Sequence, residues 1–225
     1  MTDYLILKLH GPMQAWGQAT FEGRRPSSPF PGRSGLLGLL GACLGIRREE
    51  RQRLQALDNS VAFALRCDRF TPMGGDSKVV KITDYHTVLD AREAYQGLKS
   101  HDTIQTWREY LCDAAFTVAV WCHPDSPFTL DALTSAVKAP HFTPFLGRRS
   151  CPLSRPLLEA VVQADDPARA LNMVLPTGGT IYSELAITGT EQRLRIRDQP
   201  MIELPRQFAS HEWFVLKVEG HHASE

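Results

Sequence analysis

Lysine is scarce in this chain: 6 lysines stand against 19 arginines in 225 residues. No C-x-x-C pair occurs among the five cysteines, which are odd in number and widely spaced. That excludes a zinc ribbon and a disulfide framework and fits a reducing cytoplasm. No apolar run approaches membrane-spanning length, and Met1 to His10 reads as a short strand rather than a signal peptide, so a cytoplasmic location is expected. Net formal charge is zero, which argues against a protein that coats polyanions wholesale. No Lys-Ser/Thr follows the glycine series to complete a phosphate loop, and the spacing is wrong for a dinucleotide fingerprint. No His, Cys and carboxylate set has metal spacing. Neither a cofactor nor a metal is expected.

What is present is more telling. Arg33 to Gly45 reads RSGLLGLLGACLG, a helix with a Ser34 cap and an arginine at its mouth. A glycine inside a helix costs about 1 kcal/mol relative to alanine. Gly35, Gly38, Gly41 and Gly45 therefore need an offsetting use. Gly38, Gly41, Ala42 and Gly45 recur at three- and four-residue spacing, and a face without side chains admits another backbone or a polyphosphate strand. Leu36, Leu40 and Leu44 would pin the opposite side to a core. The arginines cluster. Arg24, Arg25 and Arg33 flank the helix, Arg47, Arg48, Arg51 and Arg53 follow it, Arg148, Arg149 and Arg155 lie in a proline-rich loop, and Arg193, Arg195 and Arg197 alternate on a late strand. Local basic patches on a neutral protein suit a confined nucleic-acid site, although a GC-rich genome produces the same arginine bias.

The order of elements is strand (3–10), long loop (11–34), helix (35–45), short helix (49–57), strand (61–67), extended runs at 79–89 and 104–111, strand (115–121) and helix (130–137). Pro-punctuated short strands follow. Strand, helix, strand, strand, helix opens a ferredoxin-like unit, with 79–89 and 104–111 as a hairpin projecting between its second and third strands. Tyr85, His86, Arg92, Tyr95, Lys99, His101, Gln105, Trp107, Arg108 and Tyr110 crowd that hairpin. Interleaved aromatics and cations stack bases and hold phosphates. The same residues also suit a minor core around Trp107 and Tyr110.

Several stretches carry a resemblance: Gly11-Pro12-Met13-Gln14-Ala15-Trp16-Gly17, Phe21-Glu22-Gly23, Arg33 to Ile46, Asp84 to Leu89, Gly97 to His101, Thr103 to Asp113, Phe145 to Leu153, and Leu204 to Ser210. In these the chain resembles the CasD family of type I-E CRISPR Cascade subunits, within the repeat-associated mysterious protein superfamily. The resemblance implies an α+β, ferredoxin-like (RRM-related) domain over 1–140, with a β-hairpin thumb at about 78–112. It also implies a small β-rich C-terminal part over 141–225, with a disordered tail from about 219. It implies a non-catalytic, RNA-binding subunit that caps the complex, grips the 5′ handle of the CRISPR RNA, and adjoins the CasC backbone and the large CasA subunit. Target DNA is met indirectly through the complex. The RNA-binding candidates are Gln14, Arg24, Arg33, Ser34, Gly35, Gly38, Lys99, His101, Trp107, Arg108, Arg148 and Arg149. Two rivals stand beside this reading. One is a precursor-RNA endoribonuclease using Tyr85, His86, Lys99 and His101. The other is a protein adaptor presenting Trp16, Phe21, Phe30, Trp107 and Phe145.

Overall fold

The computed structural model describes residues 1–18, 20, 23–68, 79–89, 103–204 and 207–218. Seven strands form one antiparallel sheet: β1 (Thr2–His10), β6 (Val61–Cys67), β9 (Ala115–Cys122), β10 (Leu158–Ala164), β11 (Gly179–Ser183), β12 (Gln192–Pro200) and β13 (Phe208–Val218), in the order β10-β1-β9-β6-β11-β13-β12. Helices α1 (Arg33–Cys43) and α2 (Arg51–Ser60) join β1 to β6, α3 (Leu130–Lys138) joins β9 to β10, and α4 (Pro167–Asn172) follows β10.

The period-two alternation of strands explains the layering. Leu5, Leu7 and Leu9 of β1 face one way, with Phe63, Leu65, Val118 and Val120 beside them. Leu36, Leu37 and Leu40 of α1, Leu57 of α2 and Leu133 and Val137 of α3 close that core. Each such side chain stabilises the fold by roughly 1.5–3 kcal/mol. Tyr4 and Ile6 point the other way with Ala62, Ala64, Ala119 and Trp121, and α4 packs there through Ala168, Ala170 and Leu171. On this second side Arg66 is fully buried. It donates to Asp68, to Thr117 and to the carbonyls of Leu171 and Val174, fixing the segment after α4 to the sheet. Helix α4 lies where the sequence suggests only loops and short strands, yet Asp166 caps it and Pro167 opens it.

Outside the main sheet, β7 (Val80–Val88) and β8 (Ile104–Cys112) pair antiparallel at all nine positions. The loop over 11–34 contributes four two-residue strands, β2 (Met13–Gln14), β3 (Trp16–Gly17), β4 (Arg24–Arg25) and β5 (Ser27–Ser28). Of these, β2 and β4 pair with β8, so the loop lies along the base of the hairpin. The tail expected from about 219 lies outside the described residues. No helix among the described residues is long and apolar enough to cross a membrane.

Candidate nucleic-acid interface

The hairpin presents two unlike faces. On one side Tyr110 and Thr106 are buried. On the outward side Tyr85 is 51 % exposed and Trp107 44 %. These two are register partners, with ring centroids 5.5 Å apart. Arg24 on β4 is the other register partner of Trp107. A cleft of about 350 Å³ opens here, lined by Thr20, Arg24, Arg25, Pro26, Thr83, Trp107 and Glu109. Arg24 and Arg25 are both exposed. Gly23 permits the close approach of this segment to the hairpin, because a Cβ there would lie 2.9 Å from the Gln105 carbonyl oxygen and 3.3 Å from the Trp107 ring.

Arg148 ties a third segment to the same place. Its guanidinium donates to the carbonyls of Glu109 and Arg25, at 3.2 and 3.1 Å, and lies 4.7 Å from the Tyr110 ring centroid. Arg149 beside it is exposed. Arg108 is half-buried and its Nε donates to Thr106 Oγ1, on the hairpin face away from Trp107. The structure thus gathers Arg24, Trp107, Arg148 and Arg149 around the base of the hairpin. Lys99, His101 and Phe21 lie outside the described residues.

Arg33 is a correction. It was expected to meet phosphate and is instead 7 % exposed. Its guanidinium donates to both Glu184 carboxylate oxygens at 2.7 Å, to Asp58 Oδ1 at 3.0 Å, and to the carbonyls of Asp58 and Val61. Guanidinium with two carboxylates in low dielectric makes a strong bidentate pairing and leaves no donor for a ligand. Gln14 is corrected likewise. Fully buried, it donates to the Leu9 and Ala114 carbonyls and accepts from the Trp16 indole.

Ser34 is not the cap. The helix is entered through Gly32, and the Asp198 carboxylate, far along the chain, accepts from the Arg33 backbone N–H at 2.9 Å. Asp198 also accepts from the Trp213 indole and lies 3.3 Å from His211 Nδ1. Burial pushes the Asp198 carboxyl up, but His211, the Arg33 N–H and Trp213 outweigh it and hold it below the ordinary 3.8. A carboxyl with a depressed folded pKa stabilises the fold above its unfolded value, and that stability is lost as pH falls through the folded value. In urea unfolding, wild type should therefore exceed Asp198→Asn in stability at neutral pH, and the gap should close below about pH 4.

The glycines of α1 serve different ends, which corrects the expected bare face. A Cβ at Gly35 would lie 3.0 and 3.2 Å from the Trp16 ring, so this position seats a core tryptophan. Gly41 is buried against Leu54 and Leu57 of α2. Gly45, at φ +70°, ends the helix, its N–H donating to the Ala42 carbonyl and the Ile46 N–H to that of Gly41. Only Gly38 of the four is exposed, and a Cβ added there would meet nothing within 4 Å. Trp16 and Phe30, expected at a partner surface, are core residues at 3 % and 4 % exposure, whereas Phe145 is 37 % exposed.

The arrangement also bears on acid–base chemistry. Tyr85 and His86 are consecutive on a strand and project to opposite faces. His86 Nε2 lies 2.6 Å from Asp84 Oδ2, on the face away from Trp107. Tyr85 and His86 do not converge on one point. Among the described residues no group of three or more His, Cys, Asp or Glu side chains is placed to hold a metal ion.

Comparison with known proteins defines the class. Residues 4–213 match the family model of the CRISPR-associated protein (Cas_Cas5), and the chain belongs to that family. The chain is 59 % identical over 217 residues to the CRISPR system Cascade subunit CasD of Escherichia coli (strain K12), covering 96 % of this chain and 97 % of that one. Among solved structures, a chain of a CRISPR RNA-guided surveillance complex superposes with a TM-score of 0.75 at 26 % identity, covering 97 % of this chain and 91 % of its own. A crystal structure of a Cas protein gives a TM-score of 0.65 at 27 % identity, covering 96 % and 95 %.

Proposed function

We propose that the chain is a non-catalytic, RNA-binding subunit of a type I-E Cascade surveillance complex. In this reading it caps one end of the complex by gripping the 5′ handle of the CRISPR RNA, beside CasC and CasA subunits, in the cytoplasm. Target DNA is reached through the assembled particle. The strands β10-β1-β9-β6 with their crossing helices are read as a ferredoxin-like unit, the paired β7 and β8 as its thumb, and β11, β12 and β13 as a small β-rich part that continues the same sheet. The exposed Tyr85–Trp107 pair beside Arg24 carries this reading. An aromatic platform with an arginine at its edge stacks a base and holds its phosphate together. Arg149 and Arg148 extend the charge, and Arg108, Lys99, His101 and the exposed Gly38 are further candidates along the RNA path.

The test is a titration of labelled handle RNA against the full chain across a salt series. Affinity should fall by roughly 0.7 log units per phosphate contact for each tenfold rise in salt. Arg24→Gln with Arg149→Gln should flatten that slope. A slope already flat in wild type would favour the adaptor reading, and cleavage of labelled repeat RNA would restore the nuclease.

Gly38→Ala separates fold from function. Alanine in an exposed helix interior should raise stability by about 1 kcal/mol, because its Cβ meets open space. If RNA lies along α1, handle affinity should fall as the unfolding midpoint rises.

A further inference from the structure

The arginines of β12 take no part in the cleft at the hairpin. Among the described residues β12 is the last strand of the sheet and pairs with β13 alone. Leu194 and Ile196 pack against the main core, and Asp198 is buried. Arg193, Arg195 and Arg197 alternate with them and are all exposed. Register places Arg193 across from Phe214, on the same side of β13 as Leu216, which packs into the core opposite α1. The row therefore lies on the sheet face turned away from α1.

Alternate strand positions are about 6.8 Å apart, so the three arginines make a row about 14 Å long. The backbone bulges after Ile196, and Arg197 is held there by its Nε donating to the Phe208 carbonyl at 2.9 Å. Arg193 lies over the Phe214 ring, 5.2 Å from its centroid. Glu212 stands across from Arg195, and exposed Glu191 lies two positions before Arg193, so carboxylates flank the row. Here the aromatic ring is covered by a cation, so no bare platform offers itself to a base. Single-strand binders join charge to open rings. Charge without rings suits a duplex backbone, gripped through phosphates and not read. The guanidinium fork matches phosphate oxygens.

We propose that Arg193, Arg195 and Arg197 form a second nucleic-acid contact that holds the phosphate backbone of double-stranded DNA without regard to sequence. The choice of DNA rests on the Cascade role proposed above; the cationic row does not.

Labelled random-sequence duplex DNA, titrated against the full chain over a salt series, tests this, with handle RNA titrated in parallel. Replacing all three arginines by glutamine should weaken duplex binding and lower the slope of log affinity on log salt by about 2.7, at about 0.9 per phosphate contact. The triple lysine variant should keep the slope, and handle RNA affinity should be unchanged in both. An unchanged duplex slope in the glutamine variant overturns the proposal. So does a wild type that prefers single-stranded DNA, or an equal loss of RNA and duplex binding in a variant that melts as wild type. Should the triple variant misfold, Arg195→Gln alone decides, with a slope change of about 0.9 expected and no change overturning the proposal. Absence of handle binding by wild type sinks the proposed function and leaves the arginine row standing.

Discussion

Arg33→Ala should lower stability by about 3–5 kcal/mol, the usual consequence of removing one partner from a buried ion pair, while leaving handle RNA affinity of the folded fraction unchanged. The guanidinium bridges two carboxylates whose side chains are only 5 % and 7 % exposed. Without it, Asp58 and Glu184 are left as buried charges with their cation gone. Glu184 retains the Phe63 N–H at 2.9 Å and His211 Nε2 at 3.4 Å, and Asp58 retains the Gln199 amide at 2.7 Å. These replace little of a five-donor fork. Arg33→Lys should recover only part of the loss, because an ammonium cannot serve Glu184, Asp58 and two carbonyls in one plane. Urea unfolding midpoints measure the effect. A phosphate-binding Arg33 makes the opposite forecast: near-neutral stability and weakened RNA binding. The network joins α1, α2, β12, β13 and Glu184, directly after β11, so its loss should uncouple the C-terminal strands from the helices and not merely soften one contact.

Arg33 also marks where sequence reasoning stops. The alternation in β1, β6 and β9 and the leucines of α1 are legible, because period-two and helical periodicities are local properties. The two extended runs that pair as β7 and β8 are legible for the same reason, and their register brings Tyr85 and Trp107 together. Whether an arginine at a helix mouth faces ligand or carboxylate depends on residues far along the chain, here Glu184 and Asp198, 151 and 165 positions away. No window over the helix contains them. The glycines mislead as a set for a similar reason. Their spacing is one pattern, yet Gly35 answers to Trp16, Gly41 to α2 and Gly45 to its own φ of +70°. Gln14 and Trp16 lie in a loop rich in glycine and proline, where composition suggests exposure. Gln14 is buried by its pairing with β8, Trp16 pairs with Ser28 of β5, and the indole–amide bond joins the two. The Trp107 face is more readable than the Arg33 end, since alternation along β8 already separates Trp107 from Tyr110.

Trp107→Ala should weaken handle RNA binding roughly five- to 150-fold, equivalent to about 1–3 kcal/mol for one stacked base. Stability should change little, since the ring is 44 % exposed and rests against Tyr85, across the hairpin, and Gly23. Tyr110→Ala is the contrasting control. That ring is 4 % exposed, belongs to the core cluster and underlies Arg148, so its removal should act first on the unfolding midpoint. Trp107→Phe keeps an aromatic face and should recover most of the affinity. Salt distinguishes stacking from charge. Trp107→Ala should lower affinity at every salt concentration and leave the slope as it was, whereas Arg24→Gln should reduce the slope by about 0.7. Parallel lines for the tryptophan variant and a shallower line for the arginine variant would show one site working by two separable forces. If Trp107→Ala binds handle RNA as wild type does yet fails to join neighbouring subunits, the exposed rings of the hairpin serve protein contacts, and the RNA site must be sought elsewhere on the chain.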